Sequence, residues 1–268
     1  MMKPRKYILT ILSFFCTLTI FAENKLAVIN DPDGFTNVRS GQGREFTVID
    51  TINKDEFFYC DPTEKGEWIK ISVVKYEFKQ FKQIEDYIEF KQVEGYIHRS
   101  RIQFFENLDY KKQKEIIVQI LNKQRIIADN LHTASVNKDS IARSTISKEL
   151  VLHHEIKYSP IIGILPKYFC STNDIEVLQL FFATRWADRG SADERPINAI
   201  FDCFICKIDI VIEQLKKIKN AEQKEHILND IEWLLFGYFN VEENGKSDNK
   251  EFNKLKSLLD NERKNASR

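Results

Sequence analysis

The chain predicts an α+β protein in two parts: a small antiparallel β-barrel near the N-terminus, then an all-α region. Three observations predict it. Residues 25 to 105 carry short β-branched and aromatic runs cut by turn signals. From about Asn107 the apolar spacing becomes helical. The helical stretches then follow one another with short connections, as in a bundle or a HEAT-like stack of helical hairpins. No fixed repeat length emerges, which favours an irregular bundle.

The β region opens with "KLAVIN", a short apolar strand, and "DPDG", a turn in which Pro32 presets φ and Gly34 accepts a positive one. "FTNVRS" alternates and "GQG" breaks it. "TVIDTI" and "EFFYC" are further strands, separated by the polar "NKD", and "DPTEKG" is another turn. "EWIKISVV" sets Ile69, Ile71 and Val73 against Trp68 and its neighbours, and "GYIHRSRIQ" closes the region.

The helical region begins with "KKQKEIIVQILNKQRIIADNLH", where Ile116, Ile117, Ile120, Leu121 and Ile126 fall near helical spacing. "HTASVNKDSIARSTIS" is the most loop-like internal stretch. "STNDIEVLQLFFATRWADRG" has a capping start and a Gly190 stop. "DERPINAIFDCFICK" offers Asp193 as a cap and Pro196 in the first turn. "IDIVIEQLKKIK" and "AEQKEHILNDIEWLLFGYF" each carry one apolar stripe, and "EFNKLKSLLDNERK" is a weaker last helix.

Ahead of these parts stands a basic segment, "MMKPRK", and the uncharged run Tyr7 to Ala22. The run is short of the roughly 20 apolar residues of a membrane span. It predicts a secretory signal over residues 1–22, cleaved after Ala22, with residues 23–105 and 106–268 as the two mature parts. "LSFFC" lacks the small residues that precede a lipoprotein cysteine, so Cys16 predicts no lipid anchor. The formal charge of the whole chain is +0, and no global basic field steers it to nucleic acid. Loss of Lys3, Arg5 and Lys6 leaves the mature chain mildly acidic. Four cysteines remain after cleavage: Cys60, Cys170, Cys203 and Cys206. They permit two disulfides in three connectivities, and spacing does not choose among them.

Three blocks in order resemble the bacterial SH3 domain family: Asn37, Val38, Arg39 and Gly41; then Trp68, Ile69 and Lys70; then Gly95, Tyr96 and Ile97. The match covers about a third of the chain. The resemblance implies a small β-barrel outside the cytoplasm that binds cell-wall peptides or targets a neighbouring domain to the wall. On it, Phe35, Trp68, Tyr96, His98 and Arg99 are the ligand-binding candidates, although the Trp of the central strand serves as core in many SH3-like folds. Asn37, Arg39 and Gly41 hold the first loop in shape. One departure is large: between "WIKIS" and "GYIH" the chain inserts "VVKYEFKQFKQIEDYIEFKQVE". This reads as an extended hairpin with a β-bulge at Val73/Val74, a tip at "KQIEDY" and a return through Ile88 and Phe90. Its aromatics, Tyr76, Phe78, Phe81 and Tyr87, either pack on the helical region or present a partner surface. Packing is the simpler expectation.

Chemistry is sparse. "CFIC", Cys203 to Cys206, lies in an apolar helical run rather than at a helix start after a strand, so it predicts buried thiols or a structural disulfide, not a redox pair. "HHE", His153 to Glu155, places neighbouring imidazoles in different directions on a helix, which is weak support for a metal. Asp188, Asp193 and Glu194 within "RWADRGSADERP" are explained by caps and interhelical salt bridges. Nucleophile-elbow, Walker, zinc-protease and dinucleotide motifs are all missing from the sequence. The expectation is an exported, non-enzymatic binding or scaffold protein without cofactor or metal. Its partner would be peptidoglycan or an envelope protein, with no nucleic acid and no membrane after cleavage, in the periplasm or cell envelope of a bacterium. Two alternatives stand beside it. One is a wall-targeted enzyme whose His153, His154 and carboxylates converge in a helical cleft; the other is an immunity-type protein that binds an exported toxin.

Overall fold

The computed structural model describes residues 24–54, 56–81, 84–189, 193–242 and 247–266. The signal-like segment and its cysteine lie outside them. Seven antiparallel strands come first: β1 (Lys25–Ile29), β2 (Phe35–Arg39), β3 (Val48–Asn53), β4 (Phe58–Cys60), β5 (Trp68–Phe81), β6 (Ile84–His98) and β7 (Ile102–Phe104). They form one sheet in the order β3-β2-β6-β5-β4-β1-β7, which curls into a half-barrel.

Strand alternation explains the curl's filling. Every second residue points inward, so Ala27, Ile29, Val38, Ile52, Phe58, Ile69, Ile71, Val73 and Ile97 make one buried cluster. Gly95 is required where β6 meets β2: a Cβ there would stand 2.5 Å from the Val38 side chain and 2.8 Å from the Arg39 carbonyl. Arg39 donates from Nη1 to the carbonyls of Arg44 and Phe46, at 2.9 and 2.7 Å, and so holds the loop after β2.

The hairpin is longer than its expected tip, and its register differs from expectation. Val73 pairs with Val93 and Val74 with Gln92 without interruption; the ladder shifts only between Lys79 and Phe81. No bulge sits at Val73/Val74. The apolar row changes face there because the sequence changes its pattern while the strand keeps its pleat. Val73 is buried, and Val74, Tyr76 and Phe90 are exposed on the outer face. The side chains of Phe78, Phe81 and Tyr87, and residues 82 and 83 of the tip, lie outside the described residues.

The helices are α1 (Tyr110–Val136), α2 (Ser140–His153), a π turn (His154–Tyr158), α3 (Ser159–Thr172), α4 (Ile175–Ala187), α5 (Arg195–Cys206), α6 (Ile208–Lys217), α7 (Ala221–Tyr238) and α8 (Lys250–Ala266). The segment α2–π–α3 is continuous, so the described helices form seven rods. The expected loop at residues 132–147 is instead the end of α1 and the start of α2, broken only at Asn137–Asp139. Thr133 and Ser135 bond back to the carbonyls of Asp129 and Leu131, which keeps their hydroxyls from competing with the helix. Lys138 takes φ 56°, and Asp139 caps α2 by accepting from Ala142 N. Asp174 caps α4 in the same way, accepting from Val177 N. Ahead of α5 the cap position is Glu194, and Asp193 accepts the Arg195 N–H from one residue further out.

The main core joins these helices through Ile117, Leu121, Leu165, Phe169, Phe181, Phe204, Leu228 and Phe252. Leu26, Phe57 and Phe105 of the sheet region belong to it too. Glu106, just beyond β7, pairs with both Lys25 of β1 and Lys167 of α3. Two buried ion pairs fix helix neighbours: Arg185 of α4 with Asp230 of α7, and Lys224 of α7 with Glu262 of α8.

Of the four expected disulfide cysteines, Cys170 at the end of α3 bonds Cys206 at the end of α5. Cys60 and Cys203 are not bridged. Each is buried in a different apolar cluster, the first in the sheet and the second among the helices. Burial pushes the Cys60 thiol up to about 12, with Glu64 adding to it, and burial likewise raises Cys203. Both are inert thiols in this setting.

Two stability measurements follow. The pair Cys170→Ser/Cys206→Ser is expected to lose roughly 4 kcal/mol in urea unfolding, from the loop of 36 residues that the bond closes. Lys224→Met is expected to cost about 3–5 kcal/mol by stranding buried Glu262, and Lys224→Met/Glu262→Met should recover most of that loss.

Candidate functional site

The residues singled out on the β region share one surface. Trp68 pairs with His98, and Lys70 with Tyr96, across the β5–β6 ladder; their inward neighbours Ile69 and Ile97 fill the core. Trp68, Tyr96 and His98 therefore point outward, as Phe35 does on β2. Trp68 is half-buried, not core, and stands edge-on to His98 with ring centroids 5.5 Å apart. His98 is held locally: its Nδ1 lies 2.7 Å from Ser100 Oγ and takes the Ser100 N–H. Arg99 is less free than a ligand contact requires. Its side chain donates to the carbonyls of Gly66 and Glu64 and anchors the turn before β5.

A second constellation lies in the helices. Sequence spacing leaves His153 and His154 pointing apart, yet both reach Gln124 of α1. The reason is the local backbone. At the junction of α2 and α3, Ser159 N–H bonds to His154 O, five residues back, and Pro160 follows with no N–H to offer. The four-residue ladder widens into a π turn, a frequent mark of functional sites. His154 and Tyr158 are brought onto one side, with ring centroids 5.3 Å apart.

Gln124 orders this cluster. Its Nε2 donates to Asp188 Oδ2 at 3.2 Å, and its Oε1 accepts from His153 Nδ1 at 2.8 Å. His154 lies between two carboxylates: Nε2 is 2.8 Å from Asp193 Oδ2 and Nδ1 is 3.7 Å from Asp188 Oδ2. Arg195 donates from Nε to Asp193 Oδ1 at 2.8 Å and reaches Glu155 at 3.4 Å. Behind the cluster, Tyr158 is buried, and its phenol oxygen has no hydrogen-bond partner among the described residues.

These contacts set the charges. Burial alone lowers His154, but the bonds to Asp188 and Asp193 outweigh it and hold the imidazolium above its ordinary range. Burial works to raise Asp193, but Arg195 and His154 outweigh it and hold the carboxyl below the usual range. His153 goes the other way. Burial, with Lys123 and Lys157 nearby, brings it down to about 4, so it is neutral at pH 7. Burial also raises Tyr158 far above the ordinary phenol range.

The cluster floors a cleft of about 700 Å³ between α1, α2 and the end of α4. Leu131, Leu150 and Val151 are among its apolar walls, and His154, Asp188 and Asp193 line its polar side. His154 spends Nε2 on Asp193, while its Nδ1 lies 3.3 Å from Gln124 Nε2 and 3.7 Å from Asp188 Oδ2. Ser135 in the cleft donates to Leu131 O instead of meeting a base, so no nucleophile–base pair is assembled there. Among the described residues, no group of three or more His, Cys, Asp and Glu is arranged to hold a metal ion.

Gln124 and Tyr158 are the members that sequence reasoning missed. Gln124 reads as an ordinary helix residue, and only the buried phase of α1 marked it. Of the expected charges, Asp188 and Asp193 enter the cluster, whereas Glu194 is exposed at the start of α5.

A pH measurement tests the clamp. The unfolded imidazole titrates at about 6.5. With the folded value raised, His154 contributes fully below that pH, and its contribution is lost as pH rises through the folded value. The stability gap between the wild-type chain and His154→Gln is thus expected to narrow as pH rises above about 6.5 in urea unfolding. A gap that widens would contradict the charged clamp.

No protein-family model, curated protein or solved structure matches the chain.

Proposed function

We propose that the chain is an exported, non-enzymatic binding protein whose SH3-like half-barrel recognises a cell-wall peptide or an envelope protein through its outer face. One observation carries this reading: Trp68, Tyr96 and His98 share the outward side of β5 and β6 around a half-exposed indole. Aromatic side chains at the surface of a rigid sheet supply contact area at low entropic cost. The Cys170–Cys206 bond supports an oxidising compartment. Among the described residues no helix is long and apolar enough to cross a membrane.

The convergence of His153, His154, Asp188 and Asp193 favours a second reading, a wall-targeted enzyme with its site in the helices. The bond from His154 Nε2 to Asp193 weighs against it, because it occupies that ring nitrogen.

Co-sedimentation of the purified mature protein with peptidoglycan sacculi, over a salt series, separates these readings. The first expects salt-tolerant pelleting that falls about tenfold in Trp68→Ala. The variant should lose only about 1 kcal/mol of stability, since the indole contributes a cross-strand pair and not core volume. Pelleting that ignores Trp68→Ala, or no pelleting at all, would remove the wall-binding role of this face. Release of soluble fragments that stops in Asp193→Asn would favour the enzyme.

A further inference from the structure

We propose that the cleft in the helical region is a binding site for a protonated amine carried on an apolar body. This goes beyond the role of the half-barrel and does not depend on it. The cleft has the size and make-up of a small-molecule site: about 700 Å³, with Ala128, Leu131, Leu150 and Val151 as apolar wall and a few convergent polar groups.

The polar side is dominated by three carboxylates, Asp188, Asp193 and Glu155. Asp188 is 8% exposed and lines the cleft. Its Oδ2 meets Gln124 and His154, whereas its Oδ1 has no partner among the described residues. His154 Nε2 is bonded to Asp193, and its Nδ1 lies near Gln124 and Asp188. Arg185, on the same helix as the cleft wall, is held by Asp230 through Nε at 2.8 Å and Nη2 at 3.2 Å. Arg189 lies over the Trp186 ring at 4.3 Å and donates to the Trp186 carbonyl. The Ser135 hydroxyl is taken by Leu131 O. Glu155 adds a further carboxylate to the lining, opposite Arg195. His132, exposed, is the remaining polar group of the lining.

An anionic head would meet the carboxylates of Asp188, Asp193 and Glu155, with Arg189, stacked on Trp186, as the one guanidinium among the described residues of the lining. An ammonium would place an N–H on Asp188 Oδ1, a charge-assisted bond shielded from water, while its chain lies along the apolar wall. Gln124 holds Asp188 in place for it.

Calorimetric titration of the full mature chain at neutral pH with n-hexylamine, n-hexanol and n-hexanoate tests this. The amine is expected to bind at least about tenfold more tightly than the alcohol, with the carboxylate weakest. Asp188→Asn should erase the preference for the amine. Val151→Trp, on a wall residue that is 41% exposed and outside the buried pairs, should block all binding without touching the clamp. Equal affinity for the three probes, a preference for hexanoate, no binding of the amine, or amine binding that survives Val151→Trp would each overturn the proposal.

Discussion

A five-residue strand holds the two halves of this molecule together. β1 has two buried faces: Ala27 and Ile29 fill the half-barrel, and Leu26 enters the helical core beside Phe57 and Phe105. A strand's period of two makes this possible, because alternate side chains leave on opposite sides. A shift of one residue in register would exchange the two sets and empty both cores at once. Glu106 reinforces the same joint by drawing in Lys25 from the strand and Lys167 from α3. The sheet's position against the helices is thus set mainly by apolar packing, with an ionic contact at its rim.

The helical side has a different organising device. The π turn at His154–Tyr158 interrupts a long helix where Pro160 breaks the ladder, and it directs His154 toward the end of α4 and the start of α5. Burying an imidazolium is costly unless it is paired. Here two carboxylates from different segments meet it, so the charge can persist only when α2, α4 and α5 are all in place. The Cys170–Cys206 bond ties the far ends of α3 and α5 covalently. The clamp and the bond therefore fix the same helix pair from different points along their lengths.

The two candidate surfaces differ in physical character. The outer face of β5 and β6 is open and aromatic, suited to an extended partner lying across a sheet. The hairpin continues that apolar face through Val74, Tyr76 and Phe90, well beyond the part of the sheet that has a core beneath it. The helical cleft is concave and small, with few polar groups and a fixed charge pattern. In the proposed roles, the sheet takes an extended partner and the cleft a small one.

The sequence by itself determined the two-part order, the short strands with their turns, and the helix start at Asp174. These rest on local chemistry: alternation, caps, and turn residues such as Gly34, which takes φ 79°. It also offered Trp68, Tyr96 and His98 among its ligand candidates through the resemblance to bacterial SH3 domains, while their shared face follows from the β5–β6 register. It misread residues 132–147, where exposed polar side chains resemble a loop although their hydroxyls bond within the helix. Only the tertiary structure decided the cysteine pairing, since Cys60 and Cys203 lie in separate cores whatever their spacing in the chain. It alone decided the His154 clamp as well. Gln124, His154, Asp188 and Asp193 come from three stretches of sequence, and what joins them is a widened helical turn and the packing of α1 against α4, neither of which leaves a periodic signal.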